Sequence, residues 1–306
     1  MKYPKAYVLY ANENYIDIVN VCAKSIKTFS NIPVFVYLLN CDRIVLDADK
    51  TFNWQCDIDV EENGEMYQVY ENKNFYVNRS SKRIYRLIKE RPLIVKDALK
   101  LAENICYIDS DSIATPDIDM AFKLFSEKSF YPFFTEGIYD YLRVGDRGGA
   151  ENFNDLSTTL EHPACTLLGI DQYKRKTYRT SNIFVAGQNC IDFLEEWYWM
   201  ETHPKILNNP EFYAPFQDET IANVLLWHHK FYDGLPYSYV NINGVDVNEQ
   251  ADNRIEQVYN EIGFNGKQQD ISDWFKIPRH KHELLVFHGE KRINEMNKMI
   301  EKLKKI

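Results

Sequence analysis

Two apolar runs of strand length bracket a helical stripe at the start of this 306-residue chain, and that triplet most narrows what the chain can fold into. Tyr7-Val8-Leu9-Tyr10 and Val34-Phe35-Val36-Tyr37-Leu38-Leu39 suit buried strands. Between them Tyr15, Val19, Cys22, Ile26 and Phe29 recur at steps of four and three, the apolar face of an amphipathic helix. Asn31-Ile32-Pro33 ends that helix. Strand, helix and strand at this spacing make a parallel crossover unit, which predicts an α/β fold with ligands at the carboxyl ends of the strands. Neither GxGxxG nor a P-loop sequence follows the first strand, so neither a dinucleotide-binding turn nor a P-loop is indicated.

Further along, residues 42–80 are polar and irregular, with one strand-like stretch near Met66–Tyr70. A helix is expected from about Pro92 to Ala102, proline being suited to a first turn. Residues 136–160 read as a long loop or lid, Ser181–Val185 as a short strand, and Ile191, Phe193, Leu194, Trp197 and Tyr198 as a helix face. Another helix is expected over roughly Asp218–His229. The stripe Ile293, Met296, Met299, Ile300, Leu303 and Ile306, set among lysines, predicts a basic amphipathic helix. No internal repeat or linker-like segment interrupts the chain. The expectation is one α/β domain with a mostly parallel central sheet over 1–290 and an appended helix over 291–306.

A hydrophobic fraction of 45% supports a sizeable core, and a net charge of −9 argues against nucleic acid as a partner. No apolar run reaches the ~18 residues of a membrane span. Met1-Lys2-Tyr3-Pro4-Lys5 leads straight into a strand-like run without a signal-peptide pattern. The six cysteines (Cys22, Cys41, Cys56, Cys106, Cys165 and Cys190) have no CxxC spacing. Buried thiols in a reducing, cytoplasmic setting are therefore expected, with the sequon Asn78-Arg79-Ser80 inert.

The chemistry concentrates in Ile105-Cys106-Tyr107-Ile108-Asp109-Ser110-Asp111-Ser112, an apolar strand ending in two carboxylates one residue apart. Strand alternation would point Asp109 and Asp111 the same way, beyond the strand end. Facing carboxylates are costly unless a cation neutralises them, and hard oxygen ligands favour Mg2+ or Mn2+. Such ions commonly bridge carboxylates to substrate phosphates, whereas the bland reading is a solvated surface turn.

Four segments, in order along nearly the whole chain, resemble glycogenin-like and bacterial lipopolysaccharide galactosyltransferase-like glycosyltransferases. They are Leu9-Tyr10-Ala11-Asn12-Glu13-Asn14-Tyr15, the run ending Asp109-Ser110-Asp111, Gln217-Asp218-Glu219-Thr220-Ile221-Ala222-Asn223, and Val286-Phe287-His288-Gly289-Glu290-Lys291-Arg292. The resemblance implies a GT-A fold, Mn2+ or Mg2+, and a nucleotide-diphosphate sugar donor, with a uridine-diphosphate sugar favoured. It places Tyr15 on the base, Ala11 and Asn12 in the same pocket, and Asp109 on the ribose and metal. Asp111 becomes a metal ligand and Asp218 the catalytic group beside the transferred sugar. Lys291 or Arg292 meets the diphosphate, while Ser110 and Gly289 line the donor site. Thr180-Ser181-Asn182 stands in for the family's Asn-Ala-Gly strand and brings in Asn182. Many relatives carry a metal-binding His three residues before the glycine, where this chain has Val286; His288 is the candidate third ligand instead. Retention at the anomeric carbon also follows from the resemblance. The acceptor (glycan, lipid or protein) is not legible.

Each residue also has a bland reading. Tyr15 could be core, Asn12 through Asn14 could cap the helix, and Asp218 could cap the later one. Arg91 is read as solvated, although the helix start would let it reach a donor. His228 and His229 read as core and surface rather than as metal ligands, and His280 and His282 as exposed. The terminal helix is expected to pack on the domain, with weak membrane-surface contact the minor alternative. The rival enzyme class is a haloacid-dehalogenase-type phosphohydrolase with Asp109 as nucleophile, but Ile113 departs from its motif and no later GDxxxD appears. A catalytically degenerate sugar-nucleotide-binding protein is the non-enzyme alternative.

Overall fold

The computed structural model describes residues 2–56, 66–67, 80–81, 87, 89–123, 130–131, 134–135, 168–169, 179–203, 217–229, 239–241, 285–289 and 291–305. The expected lid at 136–160, His280 and His282 lie outside the described residues.

The N-terminal crossover forms as expected. Strand β1 (Tyr3–Ala11) leads through a 3-10 turn (Glu13–Tyr15) into helix α1 (Ile16–Phe29), and the chain returns in β2 (Val34–Leu39) parallel to β1. Asn12 caps the turn by accepting the Asn14 N–H at 3.0 Å. β3 (Lys50–Trp54) continues the parallel edge. Helix α2 (Arg91–Ala98), with Pro92 in its first turn, is shorter than expected because the chain turns at Leu99–Leu101 before β4 (Ala102–Ile108). Then come β5 (Ser112–Ala114), the short helix α3 (Met120–Lys123) and β6 (Phe130–Tyr131). β7 (Ile183–Gly187) begins two residues after the expected strand and leads into α4 (Ile191–Thr202). The described elements end with α5 (Gln217–His228), β8 (Tyr239–Asn241), β9 (Val286–His288) and α6 (Ile293–Leu303). Met66–Tyr67 pairs with Ser80–Ser81, and Phe134–Thr135 with Arg179–Thr180.

The central sheet has the order β3-β2-β1-β4-β7-β6. Its first four strands are parallel and β7 runs antiparallel to both neighbours, which gives a mostly parallel α/β sheet. Strand alternation sorts its side chains onto two buried faces. Ala6, Val8, Phe35, Tyr37, Ile105, Tyr107 and Phe184 share one core with residues of α2, α4 and α5. Tyr7, Leu9, Val34, Val36, Cys106, Ile108 and Val185 share the other with α1. Burial on both faces explains why these strands read as continuous apolar runs. Met296, Met299, Ile300 and Leu303 of α6 are buried against Val21, Ile113 and Phe287.

A smaller sheet of order β8-β9-β5 hangs from the end of β4. Its β9 pairs antiparallel with β5, setting His288 opposite Ser112 and Phe287 opposite Ile113. Ser25, fully buried in α1, anchors this sheet by accepting the Ala114 N–H at 2.9 Å.

Candidate active site

The site grows from the reversal of strand order between β1 and β4. Chain connections leave these adjacent parallel strands in opposite directions across the sheet, and the crevice beyond their carboxyl ends is where open α/β sheets take ligands. Ala11 and Asn12 lie at the end of β1, and Asp109 follows the end of β4. Ser110 ties the two together by donating its hydroxyl to the Tyr10 carbonyl.

Asp109 and Asp111 do converge, but not by strand alternation. β4 stops at Ile108, and residues 109–111 form a turn that carries the chain into β5 of the second sheet. Backbone bonds fix both ends of it: the Asp109 N–H donates to the Asn182 carbonyl at 2.8 Å, and the Gly289 N–H donates to the Asp111 carbonyl at 2.9 Å. Gly289 has a positive φ of 94°, a backbone setting that costs an L side chain but not glycine. The register of β9 on β5 thus delivers His288 to Asp111, with Nδ1 3.3 Å from Oδ1. The same nitrogen lies 3.2 Å from the Ser112 hydroxyl. Asp109, Asp111 and His288 each offer a ligand atom within 4.8 Å of the others.

Two carboxylates and an imidazole suit Mn2+ or Mg2+, the carboxylates being hard donors and the imidazole acceptable to Mn2+. The electrostatics fit a cation too. Burial raises the Asp109 carboxyl above its ordinary range, and Asp111 pushes the same way. Arg91, His288 and the Tyr107 hydrogen bond pull it down without cancelling the rise. A divalent ion would relieve that excess of buried negative charge.

Arg91 corrects its bland reading. It is 5% exposed, not solvated, and its Nη2 lies 3.3 Å from Asp109 Oδ1. Its Nη1 donates to Ser181 Oγ at 2.5 Å and to the Ser181 carbonyl at 3.4 Å. The guanidinium carbon stands 5.0 Å from the centroid of the Tyr107 ring, and the Tyr107 hydroxyl donates to the same Asp109 oxygen. Tyr107 is itself held between Tyr10, stacked at 5.9 Å, and Phe184 at 5.0 Å. Sequence reasoning passed over Tyr107 and Ser181. The available signal for Tyr107 was a phenol two residues before the aspartate that follows the strand end.

On the open side, Lys291 Nζ lies 3.6 Å from Asp111 Oδ2 and 5.5 Å from the Tyr15 ring centroid. Burial lowers the Lys291 ammonium's pKa, but Asp111 and Tyr15 outweigh it, so the group titrates above its usual range and keeps its charge. Tyr15 is half-buried and packs on the α1 side of the core while presenting its ring to Lys291. Core packing and site lining are therefore not exclusive. Arg292 is exposed at the N-cap of α6. Asn182 brings its carbonyl, not a described side-chain contact, to Asp109. Asp218 falls in the first turn of α5, and its side chain lies outside the described set.

No family model and no curated protein sequence matches the chain. Among solved structures, the galactosyltransferase LgtC in complex with donor and acceptor sugar analogs aligns at 9% identity over 98% of this chain and 97% of that one, TM-score 0.46. A glycosyltransferase involved in glycosylating the major capsid of PBCV-1 aligns at 8% identity over 97% and 98%, TM-score 0.45. The bifunctional WbbM aligns at 12% identity over all of this chain and 52% of that one, TM-score 0.49. All three are glycosyltransferases. With identities near a tenth and TM-scores below 0.5, no residue role passes from them to this chain.

Proposed function

We propose that this protein is a GT-A-type glycosyltransferase that moves a sugar from a nucleotide-diphosphate donor, a uridine-diphosphate sugar, to an acceptor hydroxyl. The observation that carries the reading is the convergence of Asp109, Asp111 and His288 at the strand-order switch, with charged Lys291 beside them. Those three residues would hold Mn2+ or Mg2+, which when bound supplies Lewis acidity toward the departing diphosphate. Arg91 and Tyr107 hold Asp109 in one orientation, so the site is preorganised before donor arrives. Lys291 and Arg292 add positive charge where the diphosphate would leave. Tyr15 offers a ring face to the base, with Ala11, Asn12 and Ser110 bounding the same end of the crevice and Asn182 and Gly289 its backbone walls. Asp218 orients the sugar or accepts the acceptor's proton. The sequence resemblance adds retention of anomeric configuration, which product NMR reads directly.

A phosphohydrolase using Asp109 as nucleophile is not favoured. Its Oδ1 is already engaged by Tyr107 and Arg91, the setting of a fixed ligand rather than an open attacking group. The test is nucleoside diphosphate release from a panel of nucleotide-sugars with Mn2+, with and without added sugar acceptors. Release from a uridine-diphosphate sugar, absent with simple phosphomonoesters, is expected. Binding without turnover across the donor and acceptor panel would identify the degenerate relative, and phosphomonoester hydrolysis would overturn the reading.

A further inference from the structure

A second cluster stands apart from the strand-end site, where α4 meets α5. Glu196 lies on α4, His228 is the last residue of α5, and His229 follows it; each offers one ligand atom within 4.8 Å of the others. His229 Nε2 is already 2.5 Å from Glu196 Oε2. The two rings stand edge to face at 5.0 Å, and the Phe193 ring lies 6.1 Å from that of His229, also edge to face.

The two helices are fixed relative to each other. Phe193, Leu194 and Trp197 of α4 share a buried core with Ile221, Val224 and Leu225 of α5. The neighbouring Glu195 is engaged elsewhere, 2.5 Å from Lys96, whereas Glu196 faces His229. The cluster also sits at the C-terminal end of α5, where the helix dipole favours positive charge. Two imidazoles and one carboxylate form a donor set suited to Zn2+, and softer than the strand-end pair of carboxylates.

We propose that Glu196, His228 and His229 form a Zn2+ site that clips α4 to α5, with water completing the coordination. The exposed histidines leave that fourth position open to solvent. The clip is independent of the proposed transfer chemistry. Its role is to fasten α5, the helix that begins at Gln217-Asp218, to α4.

The test is calorimetric titration of Zn2+ into the untagged 306-residue chain carrying Asp111→Asn and His288→Ala, which disables the strand-end cluster. Thermal unfolding is followed alongside, with and without Zn2+. One equivalent should bind and raise Tm, since an ion that binds only the folded state stabilises it. His229→Ala, His228→Ala or Glu196→Gln, added singly, should each weaken Zn2+ by at least about tenfold, because even outer-shell losses at metal sites cost about 10–100-fold. Each should also abolish the Zn2+-dependent rise in Tm. His228 and His229 are exposed and Glu196 is half-buried, and circular dichroism confirms that each variant is folded. Absence of Zn2+ binding in the parent, or the same affinity and Tm rise in all three variants, would overturn the proposal.

Discussion

Arg91→Ala tests how the strand-end site is held together. The guanidinium is buried against Asp109, whose side chain is 20% exposed, and it also serves Ser181 and covers the Tyr107 ring. Removing one partner of a buried ion pair costs about 3–5 kcal/mol, chiefly by stranding the other charge. Asp109 keeps some solvent and its Tyr107 hydrogen bond, so the expected loss is near the low end, ~3 kcal/mol. Two consequences separate this account from simple loss of packing. Asp109→Asn added to Arg91→Ala should restore part of the stability, by at least ~1 kcal/mol, because the stranded charge is gone. Saturating Mn2+ should stabilise Arg91→Ala more than wild type, a cation taking over part of the neutralisation. Urea unfolding of the four variants of the cycle, with EDTA or Mn2+, reads both effects. Strictly additive single-variant losses, or a loss below ~0.5 kcal/mol for Arg91→Ala, a level typical of unpaired surface positions, would refute the reasoning.

Three further outcomes are expected. Ser25→Ala leaves the buried Ala114 N–H without its acceptor and should cost about 1–3 kcal/mol in chemical denaturation; an unchanged midpoint would show that β5 is anchored otherwise. Asp49 accepts from Lys27 at 2.8 Å and from the Val34 N–H at 2.8 Å; burial raises its pKa, but these bonds outweigh burial and hold it below the usual value. Its contribution is therefore present above the ordinary carboxylate pKa of about 3.9 and is lost as pH falls through the lower folded value, so Asp49→Asn should flatten the stability profile below about pH 4, measured by urea midpoints across pH. Tyr15→Ala should weaken UDP by about 1–3 kcal/mol if the ring stacks on the base, whereas equal calorimetric affinities would leave Tyr15 to the core and Lys291.

The parallel crossover was legible because both strands are buried on both faces and the helix on one. Period alone separates those patterns at Val34–Leu39 and at Val19, Cys22 and Ile26. The pairing of Asp109 with Asp111 was legible as an outcome but not as geometry. Strand alternation suggested it, while the structure achieves it with a turn between two sheets, pinned by Asn182 and Gly289. Those partners lie 73 and 178 residues away from the aspartates they bind, and no local rule reaches across such separations. The burial of Arg91 is equally non-local, since it depends on Ser181 and Tyr107.

The most direct test of the central claim is the metal dependence of nucleotide binding at the strand-end cluster. UDP is titrated calorimetrically into wild type and Asp111→Asn, each with Mn2+ and with EDTA. The account predicts that wild type binds UDP at least about tenfold more tightly with Mn2+ than in EDTA, and that Asp111→Asn erases the difference. It also predicts at least a ~100-fold loss of turnover in that variant, the scale of removing one electrostatic stabiliser. Equal UDP affinity with Mn2+ and EDTA in wild type, or a full Mn2+ response in Asp111→Asn, would contradict it.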